Sequence, residues 1–372
     1  MNKNEFPYDK ISENKWWPRE NSSSFKSRSP HFGEQPKFQI DKKTKIMSAG
    51  SCFAQRISFY LKKNDYLYMD YEKSPTTFHN SDVAKQHGYQ IYSARYGNVY
   101  SAKQMLQLVQ RATGRFTPSE DYWVDEKGRF YDPFRPTIEP EGFLTVDQLL
   151  KERSKHFQAV LKLINDADIL IFTLGLTEIW QSLHDGAVYP ICPGKGFGTY
   201  CPDKYRPVNQ KYAEILNDLE NMEKEVKSLN KNIKIILTVS PVPLIATFSN
   251  NNIFKATCYS KSLLRIAAEE FTKDNKNAEY FASFEIATNN FLSNSFDKGG
   301  RNLVEDSVDK IMDCFFDFFS GDIIAEEDSL SIDAMGLSVE EDIFENELIN
   351  IQNEIGDICD EENILYNISK KK

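Results

Sequence analysis

The residues best suited to chemistry lie directly after the first buried segment of the chain. Residues 45–49 form a short, partly apolar run typical of a buried strand, and helical spacing of apolar residues begins at Cys52. Gly50 permits a tight turn between the two, which a residue with a Cβ would resist. Ser51 or Cys52 therefore lies in the first turn of a helix at the carboxyl end of a strand, the edge where open α/β sheets bind ligands. Unpaired amides and the positive end of the helix dipole favour a thiolate or an oxyanion there.

Cys52 and Ser51 are alternative nucleophiles within this turn. A helix N-terminus favours the thiolate form of a cysteine, so Cys52 would be activated, whereas a buried cysteine would be inert. Ser51 would attack from one position earlier, or its hydroxyl would cap the helix, and capping is the preferred prediction. The competing interpretation of the whole turn is a group of small residues packed under the sheet.

A hydroxyl or thiol nucleophile needs a neighbouring base or a lowered pKa, and the chain has five histidines. Three of them, in the N-terminal segment and in a polar stretch, are expected to be solvated: His31, His79 and His87. His156 lies in the helix before the second predicted strand, and His184 follows a later polar turn, so these two are the candidate bases. Without either, a dipole-stabilised thiolate with Glu178 orienting water or an amide would have to suffice.

Further polar residues could complete a site, although each has a structural alternative. Thr177 and Glu178 follow the strongest strand candidate, and they could instead form a capping box at the start of the next helix. Arg95 and Arg135 could clamp an anionic or sugar substrate, or pair with nearby carboxylates. Aromatic residues of a Pro-rich loop could stack on a sugar face or pack in the core; they are Tyr122, Trp123, Tyr131 and Phe134.

The predicted elements that must position these residues alternate between strand and helix. Strands are expected at 45–49, 168–174, 234–240 and 278–283. Helices are expected from 52 to 63 and at 102–113, 145–165, 210–229, 260–272 and 304–319, with Ser101 as a helix cap. Residues 114–144 read as a long loop, either a lid or a substrate cover. This succession predicts a parallel sheet with right-handed crossovers.

Composition divides the chain of 372 residues into three parts. An apolar fraction of 40% suits a protein with a sizeable core. Residues 321–372 hold fifteen Asp and Glu against three Lys, so they carry the acidity of a chain whose net charge is −10, and residues 1–320 come out near +2. We predict an N-terminal arm over 1–44 that packs through its tryptophans, an α/β domain over 45–320, and an acidic C-terminal extension over 321–372. The extension would be a solvated appendage or would bind a protein partner.

The same composition argues against several classes of protein. The main domain lacks the concentrated basic charge of a nucleic-acid surface. The polar N-terminus lacks the apolar core of a signal peptide, and no run approaches the roughly 18 to 20 apolar residues of a transmembrane segment. Six cysteines without CxxC pairing argue against a zinc site or a disulfide framework and suit reduced thiols in a cytoplasm. We therefore expect a cytoplasmic protein without metal or cofactor that acts on a soluble precursor.

Residues 50–54, Gly-Ser-Cys-Phe-Ala, resemble the motif of the GSCFA family, whose members are similar to SGNH (GDSL-like) hydrolases. Further segments agree with that family in order along the chain, over roughly residues 36–319. They are Ser93-Ala94-Arg95-Tyr96-Gly97-Asn98, Asp132-Pro133-Phe134-Arg135-Pro136-Thr137, Phe172-Thr173-Leu174-Gly175-Leu176-Thr177-Glu178, Thr238-Val239-Ser240-Pro241-Val242-Pro243-Leu244 and Tyr259-Ser260-Lys261-Ser262. The resemblance implies a flavodoxin-like, three-layer α/β/α sheet of the SGNH type and ester or acyl chemistry, often on cell-surface glycans.

The SGNH blocks fall on particular residues of this chain. The first block lies over Gly50-Ser51-Cys52 and puts Cys52 at the position of the nucleophilic serine. A later block places Thr177 where an oxyanion-binding asparagine would be, and Gly97-Asn98 corresponds to the block that supplies another donor. The closing Asp-x-x-His block falls near residues 297–302, which contain no histidine.

Two functions remain open from the sequence. The first is an SGNH-like acyl-transfer enzyme, an O-acyltransferase or carbohydrate esterase involved in polysaccharide or glycan modification. Its nucleophile at 51 or 52 would attack a carbonyl, while that residue's amide, with Gly97, Asn98 or Thr177, would hold the oxyanion. The second is a catalytically degenerate SGNH-shaped module that binds a glycan or a protein partner.

Overall fold

The computed structural model describes residue 8 and residues 10–320, apart from 21, 28, 79, 195–196 and 289–294, and for residues 25 and 26 it describes the backbone alone. His79 and the predicted acidic extension lie outside the described residues. The strands are β1 (Ile46–Ala49), β2 (Trp123–Val124), β3 (Phe130–Tyr131), β4 (Ile169–Leu174), β5 (Glu178–Ser182), β6 (Val188–Tyr189), β7 (Tyr205–Asn209), β8 (Lys234–Val239) and β9 (Ala278–Phe281). The α-helices are α1 (Ser23–Ser27), α2 (Cys52–Lys63), α3 (Ser81–Gln86), α4 (Ala102–Ala112), α5 (Val146–Asp166), α6 (Tyr212–Leu229), α7 (Ile253–Lys273), α8 (Ser283–Thr288) and α9 (Glu305–Ser320).

A parallel sheet of four strands, in the order β1-β4-β8-β9, forms the centre of the fold. Its register places Ile46 beside Ile169, and Ile169 beside Lys234. Parallel neighbours cannot be joined by tight hairpins, so helices connect them across the faces of the sheet. The predicted parallel sheet is confirmed.

Helices cover both faces of this sheet, so its strands are buried on both sides. Ile169 and Ile171 of β4 face a core formed with α2 and α9. Leu170 and Phe172 of the same strand face a second core, formed with α4, α5, α6 and α7. This alternation along one strand is the expected period of two, and it confirms the three-layer α/β/α architecture.

The long segment between α4 and α5 is more ordered than a loop. It contains the antiparallel β2–β3 pair and a 3₁₀ turn at Pro136–Ile138. Trp123 and Tyr131 are buried in a small aromatic core with Tyr189 and Tyr205, and Phe134 packs against it, whereas Tyr122 is 40% exposed. Core packing therefore accounts for most of the aromatic residues that could have stacked on a sugar.

The N-terminal arm does not dock through its tryptophans, so that prediction is wrong. Trp16 and Trp17 are 50% and 78% exposed. His31 docks instead, since its ring stacks on Phe318 with 3.9 Å between centroids and its Nε2 accepts a hydrogen bond from the Ala282 amide at 3.1 Å. The expectation of a solvated His31 is also wrong, because an aromatic ring with two satisfied nitrogens is stable in an apolar site.

Helix ends follow local capping chemistry. Ser101 forms the capping box that starts α4, as predicted from its position. α7 begins seven residues earlier than the expected residue 260, because the Asn252 side chain caps it by accepting from the Phe254 amide at 2.9 Å.

Within the described part of the chain, five cysteines are free thiols: Cys52, Cys192, Cys201, Cys258 and Cys314. No group of three or more His, Cys, Asp or Glu side chains in that part could hold a metal ion. A search of the same residues finds no helix with the length and apolar character needed to cross a bilayer.

Candidate active site

The turn between β1 and α2 requires the glycine that the sequence places there. A Cβ built on Gly50 would lie 2.7 Å from the Cβ of Ala54 and 2.8 Å from the Cβ of Thr173. Side-chain atoms do not approach one another so closely, so the turn accepts only glycine without rearrangement. The predicted tight turn at Gly50 is confirmed.

Ser51 and Cys52 have different surroundings in this turn. The Ser51 hydroxyl does not cap α2, so the preferred prediction for this residue is wrong. It lies beside Gly175 instead, since a Cβ built on that glycine would be 3.4 Å from Ser51 Oγ. Cys52 is 4% exposed and packs with Tyr100 and Leu176.

Three backbone segments meet around Ser51. The Val99 amide donates to the Gly50 carbonyl at 2.8 Å, and the Gly175 amide donates to the Tyr100 carbonyl at 2.8 Å. The segment from residue 97 to 101 therefore joins the carboxyl ends of β1 and β4. The resemblance to SGNH hydrolases assigns the Gly50 turn, the segment around Gly97 and the segment after β4 to one site, and these three segments are in contact here.

Gly97 and Asn98, predicted as the source of a further oxyanion donor, lie in this joining segment, where the Asn98 side chain is bound within the fold. Gly97 has a φ of +66°, a left-handed conformation that glycine adopts without strain. The Asn98 side chain is 5% exposed, and its carbonyl oxygen accepts a hydrogen bond from the Tyr92 hydroxyl at 2.5 Å. That oxygen holds the segment in place.

Thr177 is likewise used by the fold. Its amide donates to Ser260 Oγ at 3.1 Å, and its hydroxyl donates to Asn209 Oδ1 at 2.7 Å. Both donors that could have bound an oxyanion are therefore engaged in this structure.

Glu178 begins strand β5 and not a helix, so the alternative of a capping box is wrong. It pairs with Asn209 of β7, which commits the backbone to an antiparallel ladder. Its carboxylate accepts hydrogen bonds from the Thr247 hydroxyl at 2.5 Å and the Phe248 amide at 3.1 Å. Glu178 thus ties the segment after β8 to the start of β5.

Lys261 of α7 is a further candidate site residue, which the sequence did not predict. It is 2% exposed, and its Nζ donates to the Gly175 carbonyl at 2.7 Å. A signal was present, because Lys261 shares a helical face with the buried residues Leu264, Ala268 and Phe271. A lysine on a buried face is rare unless its charge has a function or a partner.

Arg95 is fully used in packing, so it is not positioned as a substrate clamp. It is 2% exposed, and its guanidinium donates to the His87 carbonyl at 2.8 Å and the Tyr89 hydroxyl at 2.9 Å. It also pairs with Glu139 at 3.2 Å. A partly buried His87 shares the same carboxylate, with Nδ1 3.0 Å from Glu139 Oε2.

Arg135 also lies in the interior, where it surrounds Asp132 together with two other arginines. Asp132 accepts hydrogen bonds from Arg135 Nε at 3.0 Å and Arg153 Nε at 3.1 Å, and Arg111 lies 3.8 Å away. Burial opposes ionisation of Asp132, yet the three guanidinium groups hold its pKa well below the ordinary value. The cluster connects Asp132, in the turn after β3, to Arg111 of α4 and Arg153 of α5.

The two candidate bases lie apart from the turn. His156 is 2% exposed, and its Nδ1 is 2.6 Å from Glu72 Oε2. Burial, with the positive charge of Arg135 nearby, lowers the pKa of His156 to about 4, so its imidazole is neutral at pH 7. His184 is exposed in the turn between β5 and β6. In the described part of the chain, the imidazoles of His31, His87 and His156 hydrogen-bond to groups other than Ser51 and Cys52.

The closing block that lacks a histidine forms an exposed turn. Its Asp297 accepts hydrogen bonds from the Arg301 amide and the Asn302 side chain, both at 3.2 Å. Asn302 is exposed, and its side chain takes part in this turn through the hydrogen bond to Asp297.

Comparison with known proteins gives one family. Two solved structures show weak similarity: a carbohydrate esterase family 3 from Talaromyces cellulolyticus (TM-score 0.27, 11% identity, covering 73% of this chain and 94% of that one) and the Clostridium thermocellum family 3 carbohydrate esterase (TM-score 0.25, 12% identity, 75% and 96%). No curated protein matches the chain. The profile of the GSCFA family matches residues 45–315, which include the Gly50 turn, the joining segment and Lys261. The chain is therefore a member of the GSCFA family.

Proposed function

We propose that this protein catalyses acyl transfer on a polar ester, with Ser51 as the nucleophile. The supporting observation is the position of the Ser51 hydroxyl, which leaves α2 uncapped and lies beside Gly175 at the carboxyl edge of the sheet. Cys52, the alternative nucleophile, is 4% exposed against 5% for Ser51, and it packs with Tyr100 and Leu176. We therefore favour Ser51 over Cys52.

The charge that develops on the carbonyl oxygen would be stabilised by the start of α2. N–H groups in the first turn of a helix have no partner within the helix, and the dipole adds positive potential. The Lys261 ammonium group donates to the carbonyl of Gly175, the glycine beside Ser51, and so adds a positive charge to this part of the site. In a buried site such a charge acts more strongly than in water.

An aromatic cluster beside this edge supports a carbohydrate as the substrate. Trp180 makes edge contacts with Tyr200 and Phe248, at 5.9 and 6.2 Å between ring centroids. Tyr200 and Phe248 are 45% and 39% exposed, and the Phe248 amide is bound to Glu178 at the start of β5. Exposed rings with an apolar face are suited to pack against the C–H face of a sugar. Hydrolysis and transfer would differ only in whether water or a sugar hydroxyl accepts the acyl group.

A chromogenic acetyl ester tests the enzyme proposal. We expect Ser51→Ala to lower kcat/KM by at least about a hundredfold, because it removes the attacking atom. Cys52→Ala is the matched control in the same helical turn, and we expect it to stay within about tenfold of the wild type. An acyl group trapped on residue 51 and identified by mass spectrometry would support the assignment independently. The reverse pattern of losses would make Cys52 the nucleophile.

A binding module is the second candidate, and one observation favours it. The imidazoles of His31, His87 and His156 make their hydrogen bonds away from Ser51, so none of these three is placed as the proton acceptor of an SGNH-type site. In this case the wild type would turn over no ester but would bind oligosaccharides in calorimetry. Trp180→Ala would then weaken binding by about tenfold or more, since it removes a stacking surface, while Tyr122→Ala would not. Absence of both turnover and binding would contradict both functions.

A further inference from the structure

A small cavity lies in the interior between α4, α5 and the segment that joins β1 to β4. Its volume is about 20 Å³. Asn98 and Val99 of the joining segment line it, together with three charged or titratable residues, Arg111, Arg135 and His156. A water molecule needs roughly 10 to 15 Å³ in such a measure, so the cavity has room for one water but not for an acyl group or a sugar.

Two of the residues that line the cavity each have a buried polar atom without a hydrogen-bond partner among the described residues. Nη2 of Arg135 and Nε2 of His156 form no hydrogen bond with any residue the structure describes. The two side chains are 3% and 2% exposed, so bulk water does not satisfy these atoms. Unpaired polar groups in the interior are costly, and each such group calls for an explanation.

The other atoms of these side chains determine what the unpaired atoms can do. The His156 Nδ1 lies 2.6 Å from Glu72, and this carboxylate is ionised, because the nearby Arg135 guanidinium and the hydrogen bond from the Arg95 amide lower the pKa of Glu72 although burial opposes this. The proton of the neutral imidazole is therefore on Nδ1, and Nε2 presents a lone pair. Arg135 holds Asp132 through Nε, which leaves Nη2 as a donor.

We propose that this cavity binds one water molecule, which accepts a hydrogen bond from Arg135 Nη2 and donates one to His156 Nε2. A single hydroxylic oxygen satisfies both unpaired atoms at once. A halide ion would satisfy Arg135 but would face the lone pair of His156. The positive charges of this interior are moreover already opposed by Asp132 and Glu72.

The water would belong to a hydrogen-bond network that extends to the candidate active site. Glu72 accepts from the Arg95 amide at 2.6 Å, and Arg135 Nη1 donates to the Arg95 carbonyl at 3.3 Å. Four residues later, the Val99 amide bonds to the Gly50 carbonyl. His156, through Glu72, and Arg135 are therefore connected to this segment by hydrogen bonds. The binding of the water itself does not depend on the proposed function.

A high-resolution crystal structure of the wild-type protein tests the proposal directly. We expect one spherical density peak within about 3.2 Å of both Arg135 Nη2 and His156 Nε2. Crystals soaked in sodium bromide should show no anomalous peak at this position. Absence of density, or an anomalous bromide peak, would overturn the proposal.

Val188 also lines the cavity, and its substitution gives a second test in solution. Val188→Ile adds one methyl group to a space that holds one water. We expect the midpoint of thermal unfolding to fall by several degrees, because the displaced water leaves two polar atoms unsatisfied. A higher midpoint would overturn the proposal, since filling a dry cavity stabilises a protein.

Discussion

At the scale of single residues, the candidate site depends on glycines that allow close backbone approach. Gly50 lets the turn after β1 pass Thr173 of β4, and Gly175 lets the next segment pass Ser51. A side chain at either glycine would displace the backbone that carries the proposed nucleophile. Glycine is therefore favoured at these positions by close contacts with neighbouring atoms as well as by the turn itself.

Gly50→Ala should lower the free energy of unfolding by about 3 kcal/mol or more, because two carbon atoms lie under 3 Å from the new Cβ. Gly114→Ala is the matched control. Gly114 has a φ of +73° but nothing within 4 Å of an added Cβ, so only backbone strain remains, about 1 kcal/mol. Urea denaturation measures both changes. Equal losses in the two variants would show that contact at Gly50 is not the cause.

At the scale of elements, α5 is attached to the rest of the fold by buried charge. Arg153 holds Asp132 of the segment after β3, and His156 holds Glu72 of the segment before α3. Buried contacts between titratable groups stabilise the fold only while each group keeps the protonation state that the contact requires. The attachment of α5 should therefore respond to pH.

His156 should make the protein less stable in acid. Its pKa falls from 6.5 in the unfolded chain to about 4 in the fold, so the unfolded state binds the extra proton between these values. Its contribution is complete above pH 6.5 and is lost as the pH falls to 4, by about 3 kcal/mol in all. Urea denaturation at several pH values measures this slope. Glu72 adds a loss of the same sign, but only below its ordinary value of 4.5.

Two variants on α5 separate titration from general destabilisation. His156→Gln keeps a donor for Glu72 but does not titrate, so its stability should depend less steeply on pH between 6.5 and 4. Val160→Ala, one turn further along the same helix and buried, should lower stability by an amount independent of pH. A His156→Gln curve parallel to that of the wild type would contradict the assignment.

At the scale of the whole molecule, two separate cores hold the sheet between its helices. The smaller core is closed by aromatic residues of α9 against β9, where Phe281 contacts Phe315 at 5.1 Å and Phe315 contacts Phe319 at 4.9 Å between centroids. Burying such rings supplies much of the stability of a domain. The described chain therefore includes α9 as an integral part of the domain.

Phe319→Ala should lower the free energy of unfolding by about 3 to 5 kcal/mol, because Phe319 is completely buried and its removal leaves a cavity. Phe254→Ala provides a matched control, since Phe254 is 82% exposed at the start of α7. That substitution should change stability by no more than about 0.5 kcal/mol. Thermal or urea unfolding compares the two, and a small effect at Phe319 would mean that α9 contributes little to the core.

The amino-acid sequence by itself determined the strands of the central sheet, most of the helices that cover it and the turn at the site. The apolar runs of β4 and β8, the Ser101 cap and the glycine after β1 are local patterns, and local patterns report the backbone that they favour. These patterns were enough to predict a parallel α/β sheet with polar turns at one edge.

Only the tertiary structure decided which polar side chains remain available at that edge. Arg95, Thr177 and Glu178 looked like site residues but are bound within the fold, and His156 pairs with Glu72, which lies 84 positions away along the chain. Lys261 reached the edge from a helix that begins near residue 253. A hydrogen bond depends on distance in space and not along the chain, so local spacing carries no record of these partners.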